Sequence, residues 1–193
     1  MSTKVLYIII FTIFASTSVA QNRMLKKFPE GYTPEEVGIK VANRFLSGKH
    51  MLHGGKWIHY AEVCTWYGAV RFASESKNKE LSRQLQERFD FLCTAERDFL
   101  PIKNHVDLNM FGCLPLELYL ITKKMQYLDL GISYADTQWE LPAEASIEEK
   151  RWADKGLSWQ TRLWIDDMYM ITILQSQAYK ATGNRKYIDR TAR

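Results

Sequence analysis

The sequence predicts an all-α protein built as an array of αα-hairpins. Three observations carry that prediction. Apolar residues recur at helical spacing through almost everything after residue 32, no stretch alternates at period two between hairpin turns, and one pattern occurs more than once. The segment Tyr119-Leu-Ile-Thr-Lys-Lys-Met-Gln-Tyr127-Leu-Asp129 matches Tyr179-Lys-Ala-Thr-Gly-Asn-Arg-Lys-Tyr187-Ile-Asp189, and a fainter copy runs from Phe72 through Lys77-Asn78-Lys79 to Leu81. In each copy an apolar helix ends in a short polar turn and an amphipathic helix returns, which is the unit of a hairpin array.

The elements follow in order. Residues 1–20 have the make-up of a secretory signal peptide: Lys4, an apolar stretch from Val5 to Phe14, and small residues at Ser18-Val19-Ala20. The expectation is export to the periplasm or outside the cell, with no stable membrane insertion after cleavage, because no later run approaches ~18 apolar residues. Residues 21–32 form an N-terminal extension. Thr33-Pro34-Glu35-Glu36 is a capping box with Pro at the first helical position, opening a helix to Leu46. Gly54-Gly55 breaks the chain. Helices are expected over 58–75, 79–97, 107–122, 125–139 and 160–182, with a seventh from Asn184. The stretch 141–157, with Pro142, Gly156 and many charges, reads as a loop. About three hairpins are present and the sequence stops at Arg193 without a helix stop signal, so residues 33–193 are expected to be the N-terminal part of a larger, truncated domain.

Composition narrows the function. The formal charge of +4 comes from scattered basic residues, which argues against a nucleic-acid partner. His50, His53, His59 and His105 are dispersed, Cys64, Cys93 and Cys113 lack metal-ligand spacing, and no metal or other cofactor is expected. Buried free thiols are the simplest reading of the cysteines, with one disulfide left open in an oxidising compartment. Six Trp serve core packing or the stacking of sugar rings.

The segment Trp164-Ile165-Asp166-Asp167-Met168-Tyr169-Met170 sets two carboxylates inside an apolar run, where an ionised group is costly without a partner. Adjacent helical residues project about 100° apart, so Asp166 and Asp167 are expected to point to different places. The repeat instead aligns Asp166 with Asp107, and both with His59 and Tyr60. All of these would then lie at one end of successive inner helices. Two carboxyls facing one cavity split their proton affinities, and the protonated one serves as a general acid. The alternative for Asp107 is a helix cap; Asp166 is expected several residues inside its helix, which weakens that alternative. His105 is either a solvated loop residue or a partner for a sugar hydroxyl. Lys155 and Arg162 approach from the loop side and are either solvated charges or contacts for an anionic substrate.

These residues carry a family resemblance. W-I-D-D-M-Y-M resembles the W-x-D-G-x-Y-M block of the unsaturated uronyl hydrolases of glycoside hydrolase families 88 and 105. Val106–Tyr119, Tyr127-Leu-Asp-Leu-Gly and Ala135-Asp136-Thr-Gln-Trp139 are similar to that family's second-Asp region. The resemblance implies an (α/α)6 barrel, of which this chain would supply the N-terminal half. It implies hydrolysis of unsaturated uronyl oligosaccharides by hydration of a C4=C5 double bond, with Asp166 as acid/base, Asp107 as the second Asp and Trp164 as the flanking aromatic. Tyr60 or Tyr67 would match an aromatic near the first inner helix. Asp167 stands where the family commonly has Gly. An inverting glycosidase on the same scaffold and a non-catalytic sugar-binding protein are the alternatives.

Overall fold

The computed structural model describes residues 27–192, so the signal peptide expected at 1–20 lies outside the described residues. The chain divides into two units between Lys40 and Val41, inside helix α1 (Pro34–Leu46). In the first unit the capping box forms as the sequence reads. Thr33 Oγ1 accepts from the Glu36 amide at 3.2 Å, and the Glu36 carboxylate accepts from the Thr33 amide at 3.0 Å.

In the second unit, β1 (Leu52–His53) and β2 (Trp57–Ile58) form a small antiparallel hairpin. In the sequence Gly54-Gly55 reads only as a break, because two-residue strands are too short to show alternation. Gly54 and Gly55 both take positive φ, which closes the turn. Then come α2 (Tyr60–Glu75), α3 (Lys79–Thr94), α4 (Val106–Asn109), α5 (Cys113–Thr122), α6 (Met125–Thr137), α7 (Ile147–Asp154), α8 (Ile165–Thr182) and α9 (Arg185–Thr191). The expected helix 107–122 is interrupted by a 3-10 turn at Met110–Gly112. Pro115 has no N–H for the Phe111 carbonyl, so a regular α-helix cannot run through. Helix α7 falls in the stretch read as a loop. Ser146 and Glu149 form a full capping box there, and that signal is present in the sequence.

The hairpins stack as the repeat requires. Helix α5 packs against α2 on one side and α8 on the other, and α3, α6 and α9 return against α2, α5 and α8. Equivalent turns end the inner helices: Lys77, Lys123 and Gly183 are all left-handed, with φ of 57°, 60° and 70°. The core between the inner and outer layers is aromatic, with Trp66, Phe89, Phe111, Tyr127 and Tyr134 buried and packed ring against ring. Gly131 is required by close approach, since a Cβ there would meet Leu116 Cγ at 2.4 Å. Cys64 and Cys93 are half-buried, Cys113 is buried, and all three are free thiols.

A polar network locks the start of α2. His50 Nδ1 lies 2.5 Å from Glu62 Oε1 and its Nε2 lies 3.0 Å from Glu96 Oε2. Arg88 donates to the Leu46 and Gly48 carbonyls at 3.1 and 3.0 Å, while its guanidinium stacks on Phe45 and Trp66. Glu62, 5% exposed, also accepts from the Met51 amide. A buried carboxylate survives only when so paired.

Candidate active site

The N-terminal ends of the inner helices bring the predicted carboxylates together. His105 caps α4, its Nδ1 accepting from the Asp107 amide at 3.2 Å, and Asp107 occupies the first turn. Trp164 is the N-cap of α8, so Asp166 and Asp167 are its second and third residues rather than interior ones. The helix starts five residues later than expected. Leu163, at φ 58°, turns the backbone, and Asp167 ties that turn down: its Oδ2 accepts from the Arg162 amide at 2.6 Å and from the Trp164 amide at 3.4 Å.

One carboxylate oxygen from each of Asp107, Asp166 and Asp167 lies within 4.8 Å of the others. The expectation that the adjacent aspartates point apart is therefore corrected: in the first helical turn both reach the same guanidinium. Arg162 Nη2 stands 2.5 Å from Asp167 Oδ1, 3.0 Å from Asp107 Oδ1 and 3.6 Å from Asp166 Oδ2. Such spacing suits a metal ion as well, and here the Arg162 cation sits among the three.

The carboxylates differ in how they are held. Asp167 is 1% exposed. Burial pushes its carboxyl up, but the hydrogen bonds and charge of Arg162 outweigh that and hold it below the ordinary carboxylate range. Arg162 itself is held above its ordinary value. Burial works against this, and the Asp167 hydrogen bond with the charges of Asp107, Asp167 and Asp166 prevails. The Asp107 side chain is mostly buried, at 14% exposure. The Asp166 side chain is half exposed and meets Arg162 only at the long 3.6 Å contact. Asp166 is thus the carboxyl with an oxygen to spare.

Trp164 is exposed, with the Arg162 guanidinium 4.3 Å from its ring centroid. It also lines an apolar cavity of about 440 Å³ with Trp139, Leu163, Met168 and Arg190. The other predicted residues are spread out. His59 caps α2, accepting from the Ala61 amide, and its ring lies tilted against Tyr60 at 4.3 Å and near His53. Tyr67 lies along the inner helices, where Gln177 donates to its hydroxyl and to Glu117 Oε2. Burial first, then the Glu117 charge, pushes the Tyr67 hydroxyl up. Lys155 follows α7 with its Nζ over the Trp152 ring, at 5.2 Å, and joins no carboxylate of the cluster.

Asp167 as the anchor of Arg162 is not among the residues the sequence singles out for a role. Its signal is the spacing of Arg162, four residues before Asp166 and five before Asp167. No helix among the described residues is long and apolar enough to cross a membrane. The sequence matches the family described as Glycosyl Hydrolase Family 88 over residues 31–193. No curated protein and no solved structure matches the chain.

Proposed function

The chain belongs to glycosyl hydrolase family 88, whose members are (α/α)6-barrel glycoside hydrolases, and from that premise we propose that Asp166 is the acid that hydrates an unsaturated uronyl ring. The substrate is an oligosaccharide whose terminal uronic acid carries the C4=C5 double bond left by a lyase. Asp166 delivers its proton to C4, water adds at C5, and the second proton of that water returns to the Asp166 carboxylate. The product is a hemiketal at C5. Breaking its C5–O5 bond gives a ketone at C5 and a hemiacetal at C1, and collapse at C1 expels the neighbouring sugar as the free alcohol.

The observation that carries this reading is the unequal holding of the three carboxyls. Asp167 is kept ionised and buried by Arg162, Asp107 shares the same guanidinium, and Asp166 faces solvent with one long contact. An acid that must meet carbon needs that freedom. An inverting glycosidase holds its two carboxyls ~6.5–9.5 Å apart with water between them, whereas here Asp107 and Asp166 both reach the one Arg162 guanidinium.

Turnover in heavy water tests the chemistry. Hydration places one deuterium at C4 of the product as the ultraviolet absorbance of the double bond disappears. Release of the unsaturated sugar with its double bond intact would mean displacement at C1 and would reject this reading. We also propose that the chain is exported through residues 1–20, with Gln21 as the N-terminus of the mature protein. A secreted or periplasmic product that retains Met1 would exclude cleavage.

A further inference from the structure

The inner helices carry a second hollow at the ends that point away from the carboxylates. Helix α2 has 16 residues and is therefore about 24 Å long, so this end is remote from Asp166. Between the α2–α3 turn and the end of α5 lies a cavity of about 510 Å³, within the range that holds small ligands. Its floor is apolar, with Val70, Ala73 and Leu118 buried and Ile121 exposed beside them. Lys77 and Lys79, both exposed, stand at its rim.

The three equivalent turns treat their cations differently. In the third, glycine (Gly183) takes the left-handed position, and Arg185 and Lys186 meet Asp189 and Asp136 at 3.2 and 2.9 Å. In the second, Lys123 lies over the Tyr119 ring at 5.4 Å and Lys124 is 3.7 Å from Asp90. In the first, the left-handed residue is Lys77, at φ 57°, where a side chain costs free energy that glycine avoids. The acids around this turn are already taken: Arg71 holds Glu75, and Arg83 holds both Glu80 and Glu87, each at 2.5 Å. Among the described residues neither Lys77 nor Lys79 pairs with a carboxylate. A cation at the end of α2 suits the helix dipole, but the dipole does not account for an apolar hollow beneath two of them.

Two uncommitted ammonium groups beside an apolar floor suit an anion carried on an apolar body. A uronate ring is such a ligand. Its carboxylate accepts charge-assisted hydrogen bonds from the lysines, and its C–H face covers Leu118 and Ile121. A bare phosphate would leave the floor wet, and a neutral sugar would leave the two charges unanswered.

We infer that this cavity is a second, non-catalytic site that binds a uronate residue of an acidic glycan through Lys77 and Lys79. The inference is independent of the role of Asp166 and is tested by binding alone. The probe is saturated trigalacturonate, which lacks the double bond, added to the full chain. Hydrogen exchange is expected to slow over residues 74–83 and 118–123. Calorimetric titration of the double variant Lys77→Gly with Lys79→Gln should show this binding weakened roughly tenfold, and Asp166→Asn should leave it unchanged. Glycine suits the left-handed turn, so the double variant keeps its fold, and circular dichroism checks that. Maltotriose, which has the rings without the charge, and tripolyphosphate, which has the charge without the rings, are expected to give no such protection. Exchange that stays unchanged over both segments, equal protection by either control, or a double variant that binds like wild type overturns the inference. Weakening by Asp166→Asn would place the probe at the carboxylates instead and overturn it as well.

Discussion

Two arginines sit among carboxylates near the starts of inner helices, and they are used differently. Arg88 closes a network that leaves no carboxylate oxygen of Glu62 over. It is stacked between Phe45 and Trp66, and Glu62 beside it is buried with both oxygens engaged by His50, Met51 and Arg88 itself. Arg162 is also stacked on an indole and also meets several carboxylates, yet Asp166 is left half exposed with a single long contact. The first arrangement spends both carboxylate oxygens of Glu62 on holding the chain. The second uses Asp167 to hold the turn and leaves Asp166 half exposed, as the proposed acid requires. Spare capacity in an otherwise committed cluster distinguishes a site from a brace.

This contrast breaks if Arg88 proves dispensable. Arg88→Ala takes the guanidinium charge from beside the buried Glu62 and the donors from the Leu46 and Gly48 carbonyls, and the expected loss is ~3–5 kcal/mol of unfolding free energy, read by denaturant titration. Asp167→Asn sharpens the contrast from the other side, since Asp167 is the brace within the site. Its loss should cost about 1–3 kcal/mol at neutral pH. The Asp167 carboxyl lies lower in the folded than in the ordinary state. Its stabilisation is therefore complete above the unfolded value of about 3.9 and is lost as pH falls through the folded value. Wild-type unfolding free energy should drop through that acid window, and the drop should be shallower in Asp167→Asn. The smallest effect is expected at Ser146→Ala, which removes the cap of α7 for about 1 kcal/mol. Hydrogen exchange should report it as faster exchange over Ile147–Asp154 alone.

Much of the architecture is legible in the sequence, because the repeat is local. The Tyr119 and Tyr179 copies foretell matching short turns, which the structure places at the left-handed Lys123 and Gly183, and Thr33 to Glu36 foretells the start of α1. The convergence of Asp107 and Asp166 follows from the same alignment. What escapes is set by contacts between distant residues. The start of α8 depends on Asp167 reaching back to Arg162 while Arg162 reaches Asp107, 55 residues earlier in the chain. Without that clamp, 160–164 reads as helix. The His50–Glu96 pairing spans 46 residues and has no linear signature. Helix α7 is a different kind of miss. Ser146-Ile-Glu-Glu149 is a readable capping box, outvoted by Pro142, Gly156 and the charge density around it.

We propose that Asp166, unlike its neighbour, works on a ligand rather than on the fold. Asp166→Asn, assayed by the disappearance of the C4=C5 absorbance and by thermal denaturation in the same preparation, tests it most directly. Turnover should fall by ~10²–10⁴-fold while unfolding free energy stays within about 0.5 kcal/mol of wild type. Turnover that survives the substitution, or is lost only together with the folded state, would contradict the account.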